Sequence, residues 1–188
     1  PGNSGSKLQL ARMSLSTIFD LCTPRDDVRR DAIAESDFAA DLSKVLRKTA
    51  PPEYRDAGPF FANTYPTRGL KNLLHNVLSR LSGTGGEAAA IFRLDTSFGG
   101  GKTHALIALA HAAQGMSGVP NVAEFADPAL VPESGAVNIG AFDGENADPT
   151  NGRKLEDGLL ARTPWGELAY ALAGRTGYER VRASDEQQ

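Results

Sequence analysis

Residues 88–103 read AAAIFRLDTSFGGGKT, and the interpretation of the chain turns on them. Ala88 to Asp95 is a short apolar run closed by a turn signal, the pattern of a buried strand. Lys102 to Gln114 places Leu106, Ile107 and Ala110 among flanking alanines, which predicts a helix. Ala136 to Asp143 (AVNIGAFD) reads as a second strand. The order strand, helix, strand predicts an α/β fold built on a parallel sheet.

The turn itself carries the chemistry. Thr96-Ser97-Phe98-Gly99-Gly100-Gly101-Lys102-Thr103 matches the phosphate-binding loop G-x-x-x-x-G-K-[ST] at every specified position except the first, where threonine replaces glycine. Three glycines let the backbone turn tightly and aim consecutive N–H groups at one anion. The N-terminus of the following helix adds partial positive charge there. Lys102 would reach the β- and γ-phosphates, and the Thr103 hydroxyl would ligate magnesium, phosphate oxygens and waters completing the shell. Thr96, Ser97, Phe98, Gly99, Gly100, Gly101, Lys102, Thr103 and His104 are therefore the candidate nucleotide-binding residues, and Thr103 the candidate metal ligand. The implied cofactors are ATP and Mg2+. The plainer alternative is a glycine-rich turn with an exposed lysine. His104 either touches nucleotide or a partner, or packs; Asp95 either orients the loop or touches a magnesium-bound water, or caps nearby backbone.

Hydrolysis needs more than this loop: a second acidic strand end and a group that positions water. Asp143 closes the next expected strand, but Gly140 and Ala141 interrupt the aliphatic run before it. Arg175, Arg180 and Arg182 could furnish an arginine finger or simply form a solvated face. No catalytic residue is assigned. The guanine-specific signature of a GTPase is not visible, which favours adenine.

Working outward, Thr67 caps an amphipathic helix with Leu70, Leu73, Leu74, Val77, Leu78 and Leu81 on one stripe, stopped at Gly83. His75 on this helix reads as a surface or packing histidine. Helix starts are expected at Thr23-Pro24 and at Ser36, the latter carrying Phe38, Leu42, Val45 and Leu46 and ending at Pro51-Pro52. Tyr54, Phe60, Phe61 and Tyr65 form an aromatic cluster within Glu53 to Pro66. It reads as a loop pinned to the core, with a base-stacking platform as the sharper alternative. Gly115 to Gly135 reads as a linker, and Thr163-Pro164 as the start of a last helix with Trp165, Leu168 and Leu172 on its apolar face. The end, RVRASDEQQ, reads as a polar tail or as an element cut in mid-course. The expected organisation is a flexible or non-native arm (1–12), a helical N-terminal region (13–86), and a nucleotide-binding domain (87–188) incomplete at its C-terminal end.

Composition sets outer bounds. The 188 residues hold 20 basic and 23 acidic side chains, so a strongly basic nucleic-acid module is excluded as the whole story, though a local basic face is not. Cys22 is the single cysteine and cannot close an internal disulfide, which points to a reducing, cytoplasmic compartment. No apolar run approaches the roughly 18 residues of a membrane span, and no secretory signal is visible.

Three blocks then carry a resemblance: FFANTYPTRGLKNLLHNVLSRLSG, FRLDTSFGGGKTHALIALAHAA and TPWGELAYALAG. From about Ser14 onward the chain resembles the N-terminal part of the large bacterial ATP-binding proteins classed as domain-of-unknown-function family 499. FGGGKTH is the most specific block. The resemblance implies a core like that of AAA-type P-loop ATPases, threonine at the first loop position as a family trait, and a fragment of a far longer protein. It also implies a setting beside DNA methyltransferases or helicases in phage-defence or restriction-like islands, hence such a protein as partner. The function expected is Mg-ATP binding with hydrolysis coupled to conformational work. The alternatives are a nucleotide-gated scaffold without turnover and a partner-docking module using the helices at Ser36–Lys48 and Thr67–Ser82. Dimer or ring assembly is natural if an arginine finger comes from a neighbour.

Overall fold

The computed structural model describes residues 16–24, 26–29, 40–84, 89–95, 99–144, 147–148 and 150–187. The chain divides after Ala39. In the first unit, α1 (Ile18–Leu21) opens where the Thr17 backbone N–H and hydroxyl both donate to the Asp20 carboxylate at 2.8 Å. These bonds hold the Asp20 carboxyl below its ordinary pKa. α2 (Asp26–Arg29) follows, just after the start expected at Thr23-Pro24. Ser36 and Phe38 lie outside the described residues.

The second unit is mostly helical: α3 (Leu42–Leu46), α4 (Pro52–Arg55), α5 (Ala57–Ala62), α6 (Arg68–Leu81), α7 (Lys102–Ala113), α8 (Val122–Phe125) and α9 (Pro164–Glu186). Its described sheet is one antiparallel pair, β1 (Arg153–Lys154) with β2 (Leu160–Ala161), in the register Arg153 to Ala161 and Lys154 to Leu160. The α/β fold with a parallel, P-loop NTPase-like sheet is thus overturned. Residues 89–95 of the expected first strand are irregular, with Ile91 86% exposed, and 136–143 is irregular throughout. The reason is physical. Parallel strands persist when they are paired and covered on both faces. Among the described residues neither apolar segment finds a ladder partner, and an apolar run alone does not distinguish a strand from other packed chain.

The core lies where four of the helices meet. α6 starts as its sequence predicts, with the Thr67 hydroxyl accepting from the Leu70 N–H at 3.2 Å. It buries Leu74 and Leu78 completely. α7 packs against α3, α5 and α6, and its alanines allow close approach; Ile107, Ala108 and Ala112 are fully buried. Phe60 and Phe61 of α5 fill the space beside them, Phe61 tilted on Phe125 of α8 with ring centroids 4.7 Å apart. Each such ring removed from water contributes about 1.5–3 kcal/mol.

Three local expectations change. α3 is capped by Asp41, whose carboxylate accepts from the Lys44 N–H at 3.0 Å, and Pro52 opens α4 rather than closing a helix. The supposed linker Gly115–Gly135 instead delivers Met116, Val119, Phe125 and Ala126 to the core. Of the two readings of RVRASDEQQ the polar tail falls, since the residues to Glu186 belong to a regular helical element.

α9 is two helical arms joined by a reversal. Ala173 and Gly174 leave helical geometry, and Gly174 takes φ +58° with ψ −150°, a conformation that suits glycine. The arms lie so close that a Cβ at Gly166 would strike the Asp185 carboxylate, and one at Gly177 would strike the Ala169 carbonyl. The close face is therefore made by Gly166, Gly177, Tyr178 and Asp185, all buried, while Trp165 and Leu172 of the expected apolar face are 46% and 45% exposed. Among the described residues, no helix is long and apolar enough to cross a membrane.

Candidate functional site

The glycine turn leads into α7. Gly99 and Gly101 both adopt left-handed backbone, φ +78° and +73°, on either side of Gly100. Left-handed backbone of this kind recurs in turns whose successive N–H groups face an anion. Gly101 is the N-cap of α7 and has no side chain to satisfy the helix start; its carbonyl accepts from the Ala105 N–H at 2.9 Å. The first N–H groups of a helix have no partner one turn back, so this end is suited to negative charge.

Lys102 and Thr103 occupy the first turn and are exposed, whereas Ile107 to Ala113 of the same helix sit in the core, Leu109 only partly covered. The helix thus anchors one end and presents the other. Thr96, Ser97 and Phe98 lie outside the described residues.

His104 faces inward. The single proton of the Thr64 hydroxyl goes to the Phe60 carbonyl at 2.7 Å, so that hydroxyl accepts from His104 Nε2 at 2.9 Å. The imidazole also lies over Phe60, with ring centroids 4.5 Å apart. Burial pulls its pKa below the ordinary histidine value. His104 therefore links the start of α7 to α5 as a neutral ring.

The other candidate residues are dispersed. Asp95 pairs with Arg93 at 2.8 Å on the surface. Asp143 is half-buried in the irregular segment 136–143. Arg175 approaches Asp157 and Glu179, and Arg182 bonds Glu179 and Glu186 at 3.3 and 2.8 Å. Arg180 and His75 are exposed. No cluster of three or more histidine, cysteine or acidic side chains suited to a metal occurs among the described residues. Magnesium on a nucleotide places a lighter demand on the protein: one hydroxyl such as that of Thr103, with phosphate and water oxygens for the rest. Thr103 is exposed at the start of α7.

One feature of the site escapes motif matching. A cleft of about 450 Å³ begins at Gly100, Gly101 and His104 and runs between Tyr65, Leu70 and Leu73. Tyr65 belongs to the aromatic cluster, but unlike the buried Phe60 and Phe61 it is 80% exposed. The available signal was Pro66 immediately after it and the cap at Thr67, which place Tyr65 at the mouth of α6.

Fold and site together define a helical domain that holds a glycine turn at the exposed end of a helix whose residues from Ile107 onward are mostly buried. The chain belongs to the DUF499 N-terminal domain family, which matches residues 19–188. The family resemblance drawn from the three sequence blocks is thereby borne out. No curated protein and no solved structure gives a significant match.

Proposed function

We propose that this domain binds a magnesium-bound nucleoside triphosphate, ATP foremost, with its phosphates at the turn Gly99–Thr103. The observation that carries this reading is the pair of left-handed glycines at an uncapped helix start, with Lys102 and Thr103 exposed beside them. The cradle is local. It requires the turn and the first turn of α7, and no parallel sheet. Lys102 supplies a point charge, the backbone N–H groups orient the phosphates, and the Thr103 hydroxyl holds one magnesium position. Because the rest of α7 is packed among α3, α5 and α6, a ligand at its exposed end favours the folded core by mass action.

Calorimetric titration with Mg-ATP tests the reading. Saturable binding is expected, and Lys102→Ala should weaken it about 10- to 100-fold, since a hydrogen bond to a charged group contributes about 1.5–3 kcal/mol. Equal binding by both proteins would refute the assignment.

A further inference from the structure

The cleft that opens beside the glycine turn has the character of a nucleoside site. Its volume, about 450 Å³, falls within the range of roughly 300–1,000 Å³ usual for small-molecule pockets. Its walls are mainly apolar, from Leu70, Leu73, Leu94 and Ala105, with Asn63 and Tyr65 adding polar groups. Two of its hydroxyls are already engaged. Thr64 serves the Phe60 carbonyl and His104, and Thr67 accepts from the Leu70 N–H. His104 is neutral and fixed against Phe60, so the cleft brings no cation of its own to a ligand. What it offers is apolar surface and the exposed ring of Tyr65. Gly100 and Gly101 belong both to the cleft and to the anion cradle, so whatever occupies one end abuts the phosphates at the other.

We propose that this cleft seats the purine base and ribose of the bound nucleotide, with the base stacked on Tyr65. The inference rests on the phosphate reading above and adds the part of the ligand that reading leaves open. A flat apolar molecule that is anionic at one end fits the sequence of surfaces from Leu73 to Gly101. Recognition here is by shape and stacking more than by hydrogen bonding.

The test compares Mg-ATP with Mg-tripolyphosphate by calorimetry on the full chain, using wild type, Tyr65→Ala, Tyr65→Trp and Lys102→Ala. Tyr65 is exposed, so these changes leave the core intact. Wild type should bind ATP more tightly than tripolyphosphate. Tyr65→Ala should weaken ATP binding roughly five- to tenfold, the lower part of the range for base stacking on an aromatic ring, without changing tripolyphosphate binding. Tyr65→Trp should retain ATP affinity. If ATP and tripolyphosphate bind alike, both through Lys102, or if Tyr65→Ala binds ATP as wild type does, the base site is overturned and the phosphate site stands. If neither ligand binds, both readings fall.

Discussion

Asp185 gives the sharpest test of how the C-terminal part of the chain is held. Its side chain is 0% exposed, yet it carries a carboxylate. That carboxylate accepts from the Arg162 N–H at 3.0 Å, the Thr163 N–H at 2.9 Å, the Thr163 hydroxyl and the Tyr178 hydroxyl at 3.0 Å. It thereby ties the far arm of α9 to the residues that start the near arm, where the Thr163 hydroxyl in turn accepts from the Gly166 N–H. Burial alone would raise the Asp185 pKa. The bonds from Thr163, Arg162 and Tyr178 outweigh it and hold the carboxyl below its ordinary value. Asp185→Ala removes the acceptor. Tyr178 keeps a partner in the Leu160 carbonyl at 3.0 Å, and water can reach the exposed Arg162, so two donors on Thr163 are left buried and unpaired. At about 1–3 kcal/mol for each orphan, the expected loss is about 2–6 kcal/mol. Asp185→Asn keeps the volume and one acceptor and should cost about 1–3 kcal/mol. Urea unfolding followed by far-ultraviolet circular dichroism reads these values. With a slope of about 2 kcal/mol per molar, Asp185→Ala should lower the midpoint by about 1–3 M. The acid limb gives an independent reading. With its folded pKa depressed, Asp185 contributes stability that is present above the unfolded value of about 3.9 and lost as pH falls through the folded one. Asp185→Asn should flatten that limb. A change within about 0.5 kcal/mol for Asp185→Ala, the range of an ordinary surface substitution, would refute the anchor.

Other predictions follow from the same geometry. Gly177→Ala should cost about 3 kcal/mol or more in the same urea assay, because its Cβ meets the Ala169 carbonyl in the opposite arm, whereas Ala183→Gly on an exposed face should cost only about 1 kcal/mol. Equal costs would contradict the paired arms. His111, buried with its Nε2–H donated to the Tyr54 carbonyl at 2.8 Å, is pulled below the ordinary histidine pKa by burial, with that bond and the Asp56 charge opposing. His104 is shifted the same way by burial. Both contribute stability that is present above the unfolded value of about 6.5 and lost as pH falls toward the folded values. Urea midpoints should therefore drop from pH 7.5 to pH 5.5, and His111→Gln should make that slope shallower; an unchanged slope would remove His111 from the account.

The legible parts of the fold were those written in local chemistry. The Thr67 and Thr163 caps, the Leu74 and Leu78 stripe, and the helix after Gly101 all follow from side chains within a few residues of one another. The sheet was not legible in this way. AAAIFRLD has the composition of a strand, but a strand depends on partners elsewhere, and Ile91 stands in solvent. The same holds for Asp185. In sequence it sits among polar residues at the chain end, and only the reversal at Gly174 brings it back to Thr163. Gly166 and Gly177 carried a usable signal, since glycine within a helix invites close approach of another backbone or side chain. For the site, the glycine turn and Lys102 were readable because they occupy consecutive residues of the sequence. The cleft at Tyr65 was not, because it is assembled from segments as far apart as Tyr65 and Leu94.

The central claim is that the turn Gly99–Thr103 receives the phosphates. Amide chemical shifts recorded during a Mg-ATP titration of the isotope-labelled chain test it most directly. The account predicts that the largest, saturable shifts fall on the N–H groups of Gly99, Gly100, Gly101, Lys102 and Thr103, with those of Ile107 to Ala113 moving far less. Saturable shifts centred elsewhere, with those five amides unmoved, would contradict it.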